Sequence, residues 1–138
     1  MNPETPGTPI IPVLAAIIRD EAGRVLAARR KPHLSNGGKW EFPGGKLFSG
    51  ESPEQCLARE IREEMGIEIE VLEPFHLVNF SYPEKSILLI GYVCRFAGGN
   101  WNLTDHDQIR WVEKNSLGEY DFSAADHPIV EKLQNSDA

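Results

Sequence analysis

Thiol chemistry is almost missing from this chain, which has only two cysteines, Cys56 and Cys94. They lack C-x-x-C spacing and sit among apolar neighbours, so they read as buried thiols of a reducing compartment rather than a disulfide or redox pair. No apolar run reaches eighteen residues and no secretory leader is apparent. The expectation is therefore a cytoplasmic protein with no membrane partner. Positive charge is also in deficit, with 14 Lys and Arg against 21 Asp and Glu and a net charge of −7. That balance excludes a nonspecific binder of nucleic acid polymers or anionic membranes. A polyanionic small molecule would need a local basic pocket or a bridging cation. Several catalytic signatures are absent too: G-x-S-x-G, GxxxxGK[ST] and H-E-x-x-H do not occur. His33, His76, His106 and His127 show no zinc-ligand spacing.

What is present is ordinary for one globular domain: 138 residues, 41% hydrophobic and 25% charged. A chain of this size buries roughly 68% of its unfolded surface, enough for a core without disulfide or metal staples. Four prolines punctuate the first twelve residues, so residues 1–9 read as a loose tail and 10–138 as the domain. Val13 to Ile18 suits a strand buried on both faces. The turn chemistry of Asp20 to Gly23 and the apolar run Val25 to Arg29 predict a hairpin with it. Residues 32–38 read as a loop, and Trp40 to Phe42 as a short extended stretch ended by Pro43-Gly44-Gly45. Ser52, Pro53 and Gln55 form a capping box ahead of Leu57, Ile61 and Met65, and Gly66 ends that helix. Strands are expected over 67–80, 86–96 and 109–112, and a terminal helix from Asp126 to Leu133. Strands interleaved with two helices indicate an α/β fold around a mixed sheet.

On the helix, Glu60, Glu63 and Glu64 recur at i, i+3 and i+4 and so share one side. Like charges there cost a few tenths of a kcal/mol per pair. Two readings fit: a solvated face softened by Arg59 and Arg62, or a site for a hard cation such as Mg²⁺ or Mn²⁺, which favours oxygen ligands. The surrounding residues favour the second. Residues 45–67, GKLFSGESPEQCLAREIREEMGI, satisfy G-x5-E-x7-R-E-U-x-E-E-x-G-U at Gly45, Glu51, Arg59, Glu60, Ile61, Glu63, Glu64, Gly66 and Ile67. This pattern resembles the Nudix box. The run WEFPGGK, from Trp40 to Lys46, and the C-terminal Ala124 to Val130 are similar to the MutT-like branch, so the likeness covers roughly residues 11–134.

The resemblance implies an αβα sandwich with a loop–helix–loop metal site. It implies divalent-cation ligands at Glu60, Glu63 and Glu64, aided by the Gly44 carbonyl and by Asp105, six residues before Trp111. It also implies that Arg59 pairs with Glu51 to brace the loop, making Glu51 a support rather than a ligand. Arg30 would contact substrate phosphate, and His106 is expected to be a plain loop residue. The implied reaction is Mg²⁺-dependent hydrolysis of a nucleoside triphosphate to monophosphate and pyrophosphate, cleansing the nucleotide pool, with Glu60 as base or base-orienter. Nucleotide sugars or dinucleoside polyphosphates are the alternative substrates, and a noncatalytic nucleotide-binding module is the alternative class. The partner would be a small nucleotide, and the protein a monomer or homodimer.

Base selection is expected near Asp126, where the MutT pattern has an Asn that reads an oxidised guanine. An ionised carboxylate only accepts hydrogen bonds, which favours an amine edge such as that of cytosine or adenine. A protonated Asp126 would regain a donor and suit oxidised purines. The competing role for Asp126 is a helix N-cap. Among Phe75, Phe80 and Tyr82, Phe80 is the ring expected to stack on the base, and Trp40 is expected to pack beside the metal loop.

Overall fold

The computed structural model describes residues 9–136, so all but the last residue of the expected tail lies outside the described residues. Strand β1 (Ile10–Arg19) is the centre of the fold. Its alternate residues serve opposite faces, as expected for a β-branched run. Leu14, Ala16 and Ile18 pack with Cys56, Leu57, Ile61 and Met65 of helix α1 (Pro53–Met65). Ala15 and Ile17 pack with Ile129, Val130 and Leu133 of helix α2 (His127–Gln134). The helices thus cover the two faces of one sheet, the αβα sandwich expected. Leu57, Ile61 and Met65 are completely buried, each contributing about 1.5–3 kcal/mol.

The remaining strands are β2 (Val25–Arg30), β3 (Trp40–Glu41), β4 (Gly44–Lys46), β5 (Ile67–Tyr82), β6 (Lys85–Gly99) and β7 (His106–Val112). β1 runs parallel to β6 from Ile10↔Ser86 to Arg19↔Arg95, and β5 pairs antiparallel with the far side of β6. The sheet is therefore mixed. The expected β1–β2 hairpin exists only at its turn, where Arg19↔Val25 is the single register pair. Asp20 builds that turn by accepting from the Ala22 and Arg24 amides. Beyond it the strands part. β4 takes the edge of β1 through Val13↔Lys46, Leu14↔Gly45 and Ala15↔Gly44, while β2 pairs with β3 and β7. Pro43 directs this insertion, its carbonyl accepting from the Ala16 amide at 2.7 Å. The fork between β1 and β2 lets a glycine loop reach into the middle of the sheet.

Strands β5 and β6 are longer than expected, leaving Pro83-Glu84 as their connection. A 3₁₀ segment at Ala124–Asp126 precedes α2. No helix among the described residues is long and apolar enough to cross a membrane.

Candidate active site

The entry to α1 is built as its sequence predicts. Ser52 Oγ accepts from the Gln55 amide, and Gln55 Oε1 accepts from the Ser52 amide. At the other end Gly66 takes φ 74°, left-handed backbone that costs glycine little, and its amide returns to the Arg62 carbonyl. The loop before the helix is pinned by Glu51, which accepts from Arg59 Nη2 at 2.9 Å, Arg59 Nε at 3.1 Å and the Phe48 amide at 3.0 Å. Chiefly the guanidinium, and then that amide, pull the Glu51 carboxyl down to about 2. The expected bracing pair is thus present. Arg59 also donates to Glu60 Oε1 at 2.7 Å and Glu63 Oε2 at 3.3 Å.

The three helix glutamates do not behave alike. Glu64 is buried and its Oε2 has no partner. Burial, then a hydrogen bond with Glu60 and the charges of Glu60, Glu41 and Asp105, push its carboxyl up to about 10. The Glu60 carboxyl lies against Gly45, where a Cβ would fall 2.4 Å from Glu60 Cδ. Glu63 stands apart, its side chain 62% exposed and turned to Arg59. Among the described residues no three such groups converge tightly enough to cage an ion. Even so, the donor set fits a hard cation. Two neighbouring carboxyls, one of them against a glycine that leaves it room, have Asp105 close by and one buried oxygen unpartnered. Asp105 is held near by its loop, in which the Thr104 amide bonds the Glu64 carbonyl and the Asp105 carbonyl accepts from the Lys31 amide.

An open cleft runs from this corner along β3 and β4. Arg30, Gly44, Gly45 and Lys46 line it on the Glu60 side, Tyr82, Lys85, Ser123, Ala125 and Asp126 line it beside the start of α2, and Glu41 on β3 lies between. Arg30 and Asp126 are therefore brought into one cavity, as expected. Phe80 is not part of its wall. Its ring packs at 4.8 Å on Tyr82, which lines the cleft instead and whose hydroxyl accepts from the Ala125 amide. Trp40 packs edge-on to Tyr120. The ring facing the cleft therefore differs from the expected one by two residues along the same strand face.

Of the two roles open to Asp126, the structure removes the cap. The residue occupies the N-cap position of α2 but makes no side-chain capping bond, because its backbone is already helical. The side chain instead accepts from Ser123 Oγ at 2.5 Å, and it is buried. Burial outweighs the Ser123 hydroxyl and pushes the carboxyl up to about 8.

His106 is a correction. It is no loop residue but the first residue of β7, 1% exposed. Its Nε2 lies 2.8 Å from Glu41 Oε2. Glu41 went unremarked in the sequence although it is the one acid in the Trp40–Lys46 run. A charge in a stretch otherwise bound for the interior was the available signal.

The sequence matches the NUDIX domain over residues 14–132. The chain belongs to the Nudix family. Among its relatives, the 8-oxo-dGTP diphosphatase of Escherichia coli K12 is 32% identical over 123 residues, covering 88% of this chain and 95% of the relative. The CTP pyrophosphohydrolase of the same organism is 34% identical over 122 residues, covering 88% and 90%. The crystal structure of the MutT protein from Methanosarcina mazei Go1 superposes with a TM-score of 0.85 at 30% identity, covering 95% and 97%. The chain is thus a Nudix hydrolase, an enzyme acting on phosphoric anhydride bonds. A divalent cation is the general cofactor of such enzymes.

Proposed function

We propose that this Nudix hydrolase is a Mg²⁺-dependent nucleoside triphosphate pyrophosphohydrolase that removes unwanted nucleotides from the cytoplasmic pool. The observation that carries this reading is the polarity of one cleft: paired carboxyls behind Gly44-Gly45 at one end, a buried Asp126–Ser123 pair at the other. A triphosphate laid along it puts its phosphates at the first end and its base at the second.

Glu60, Glu63, Glu64, Asp105 and the Gly44 carbonyl would hold Mg²⁺, with Mn²⁺ as substitute, and Glu51 and Arg59 keep their loop and helix in register. When bound there, the cation would neutralise phosphate charge and lower the pKa of water. Arg30 and Lys46 lie along the phosphate end and add positive charge that an acidic protein otherwise lacks. Glu60 takes the proton as water oxygen bonds to the β-phosphorus. The bond from that phosphorus to the α–β bridging oxygen breaks, and nucleoside monophosphate and pyrophosphate leave. General-base help of this kind contributes typically 10²–10⁴-fold.

At the base end, a carboxyl raised to about 8 is mostly protonated at neutral pH. Like an Asn amide, it then offers one donor beside one acceptor. This favours oxidised purine nucleotides. Cytidine nucleotides, the substrate named for one relative, are the second reading, because ionised Asp126 would accept from the cytosine amine. A turnover panel with Mg²⁺ tests both, comparing 8-oxo-dGTP, CTP, the ordinary nucleotides and ADP-ribose, with products separated by ion exchange. Monophosphate and pyrophosphate from a triphosphate support the reading. Cleavage of ADP-ribose alone overturns it.

A further inference from the structure

Between the two ends of the cleft lies a carboxylate that the reaction above does not use. Glu41 lines the cleft from β3, where the neighbouring Trp40 carbonyl accepts from the Ser123 amide and the chain runs on through Phe42-Pro43 into Gly44 and Gly45. It therefore stands between the phosphate end and the base end, the stretch a nucleotide's sugar must cross.

Glu41 is also aimed. Both of its side-chain contacts fall on one oxygen, Oε2, with His106 Nε2 at 2.8 Å and Arg30 Nη1 at 3.5 Å. Oε1 makes no hydrogen bond to any described residue and is not among the buried orphan atoms, so it is left to the cleft. The residue doing the aiming is an unusual choice for its place. His106 is completely buried in β7, and its Nδ1 has no partner there. An apolar side chain would avoid that desolvation cost. What only the imidazole supplies is Nε2–H, and that group goes to Glu41.

We infer that Glu41 Oε1 is the acceptor for a hydroxyl of the substrate's sugar, and that His106 is the positioning residue that aims it. The inference rests on reading the cleft as a nucleotide site. An ionised carboxylate has no donor, so Glu41 repels the phosphates on one side and welcomes the O–H groups of ribose or deoxyribose on the other. Arg30 is thereby shared between Glu41 and the phosphate end.

The test is a substrate-by-mutation cycle. Wild type, Glu41→Gln, His106→Ala and His106→Gln are compared on CTP, dCTP and ddCTP and on GTP, dGTP and ddGTP. Wild type should lose on the order of tenfold in kcat/KM when the last sugar hydroxyl is removed, the size of a hydrogen bond to a charged group. In Glu41→Gln, which leaves only an uncharged amide for the hydroxyl, that ratio should fall several-fold. His106→Ala should flatten it in part, and His106→Gln, which keeps a donor, should restore it. Glu41→Gln is nearly isosteric, so the test survives even where His106→Ala fails to fold. A loss in Glu41→Gln that is equal for hydroxyl-bearing and dideoxy substrates overturns the inference and makes Glu41 a phosphate- or cation-facing group. An unchanged ratio overturns it as well.

The same cycle is read by calorimetry with CMP, dCMP and ddCMP and with GMP, dGMP and ddGMP, without added cation. If wild type turns over no triphosphate but binds monophosphates in a hydroxyl-dependent way that Glu41→Gln weakens, the pyrophosphohydrolase reading falls and this one stands. Binding that ignores the sugar hydroxyls removes this inference alone.

Discussion

Glu60 and Glu64 sit one helical turn apart, the Glu60 carboxyl against Gly45 and the Glu64 carboxyl buried, so two acidic groups face each other where neither can move far. Glu64 carries most of the strain. Its folded carboxyl is raised from 4.5 to about 10, so the contribution of Glu64 to the cation-free fold is complete below pH 4.5 and is lost as pH climbs towards 10. Glu64→Gln should remove that loss, raising stability at pH 8 by about 1–3 kcal/mol, while kcat falls by on the order of 10²–10⁴. Glu63→Gln should cost activity without moving the melting temperature, because Glu63 is exposed. Thermal melts beside kcat separate the two. Equal melting shifts in both variants would contradict the assignment.

Mg²⁺ should stabilise wild type by about 2.7 kcal/mol at a hundred times its Kd. It should do little for Glu64→Gln. Differential scanning fluorimetry across a Mg²⁺ titration measures this directly, and an identical shift in both proteins would place the cation elsewhere.

Asp126 gives a pH signature of its own. Its carboxyl rises from 3.8 to about 8 on folding, so its contribution is complete below pH 3.8 and disappears as pH passes 8. Asp126→Asn should therefore match wild type near pH 4 and exceed it in stability at pH 9. In turnover, the preference of wild type for 8-oxo-dGTP over CTP should fall as pH rises through about 8, and in Asp126→Asn it should stay level. A pH-independent preference in wild type would mean that Asp126 does not read the base.

Arg59 touches Glu51, Glu60 and Glu63. Arg59→Ala should free all three and raise the Mg²⁺ concentration for half-maximal activity about 10–100-fold, the usual effect of losing a group that orients metal ligands. Activity at saturating Mg²⁺ should recover in part. If the Mg²⁺ dependence is unchanged, the pairing is only a fold contact.

The two loop glycines should fail differently. At Gly45 a Cβ meets the Glu60 carboxyl, so Gly45→Ala should fold and lose activity. At Gly44 it would lie 1.9 Å from the Leu14 carbonyl oxygen, which is backbone. Gly44→Ala should therefore destabilise the β1–β4 pairing by about 1–3 kcal/mol or more. Urea unfolding beside activity distinguishes them.

Much of this site was legible because its determinants are local. Ser52, Gln55 and Gly66 announce where α1 starts and stops, and the Glu51–Arg59 pair spans only loop and helix. The split of β1 from β2 was not legible, since residue pattern reports burial and period but not which strand will claim an edge. His106 was misread for a related reason. A histidine beside an acidic loop ordinarily stays near water, and only the distant Glu41 makes its burial sensible. Asp126 was ambiguous because its position before α2 suits a cap, and the choice falls to Ser123, whose hydroxyl takes the carboxyl instead.

The fork between β1 and β2 also bears on how the enzyme folds. β1 cannot be completed by its neighbour in sequence. It waits for β6, which pairs with it in parallel from the far half of the chain, and for β4 on its other edge. Closing such distant contacts is slow, since the entropy of loop closure precedes any gain from pairing. Gly44 and Gly45 take up their places only when β1 has found both partners. The catalytic corner is then a late product of folding, and regain of activity during refolding should report completion of the whole sheet.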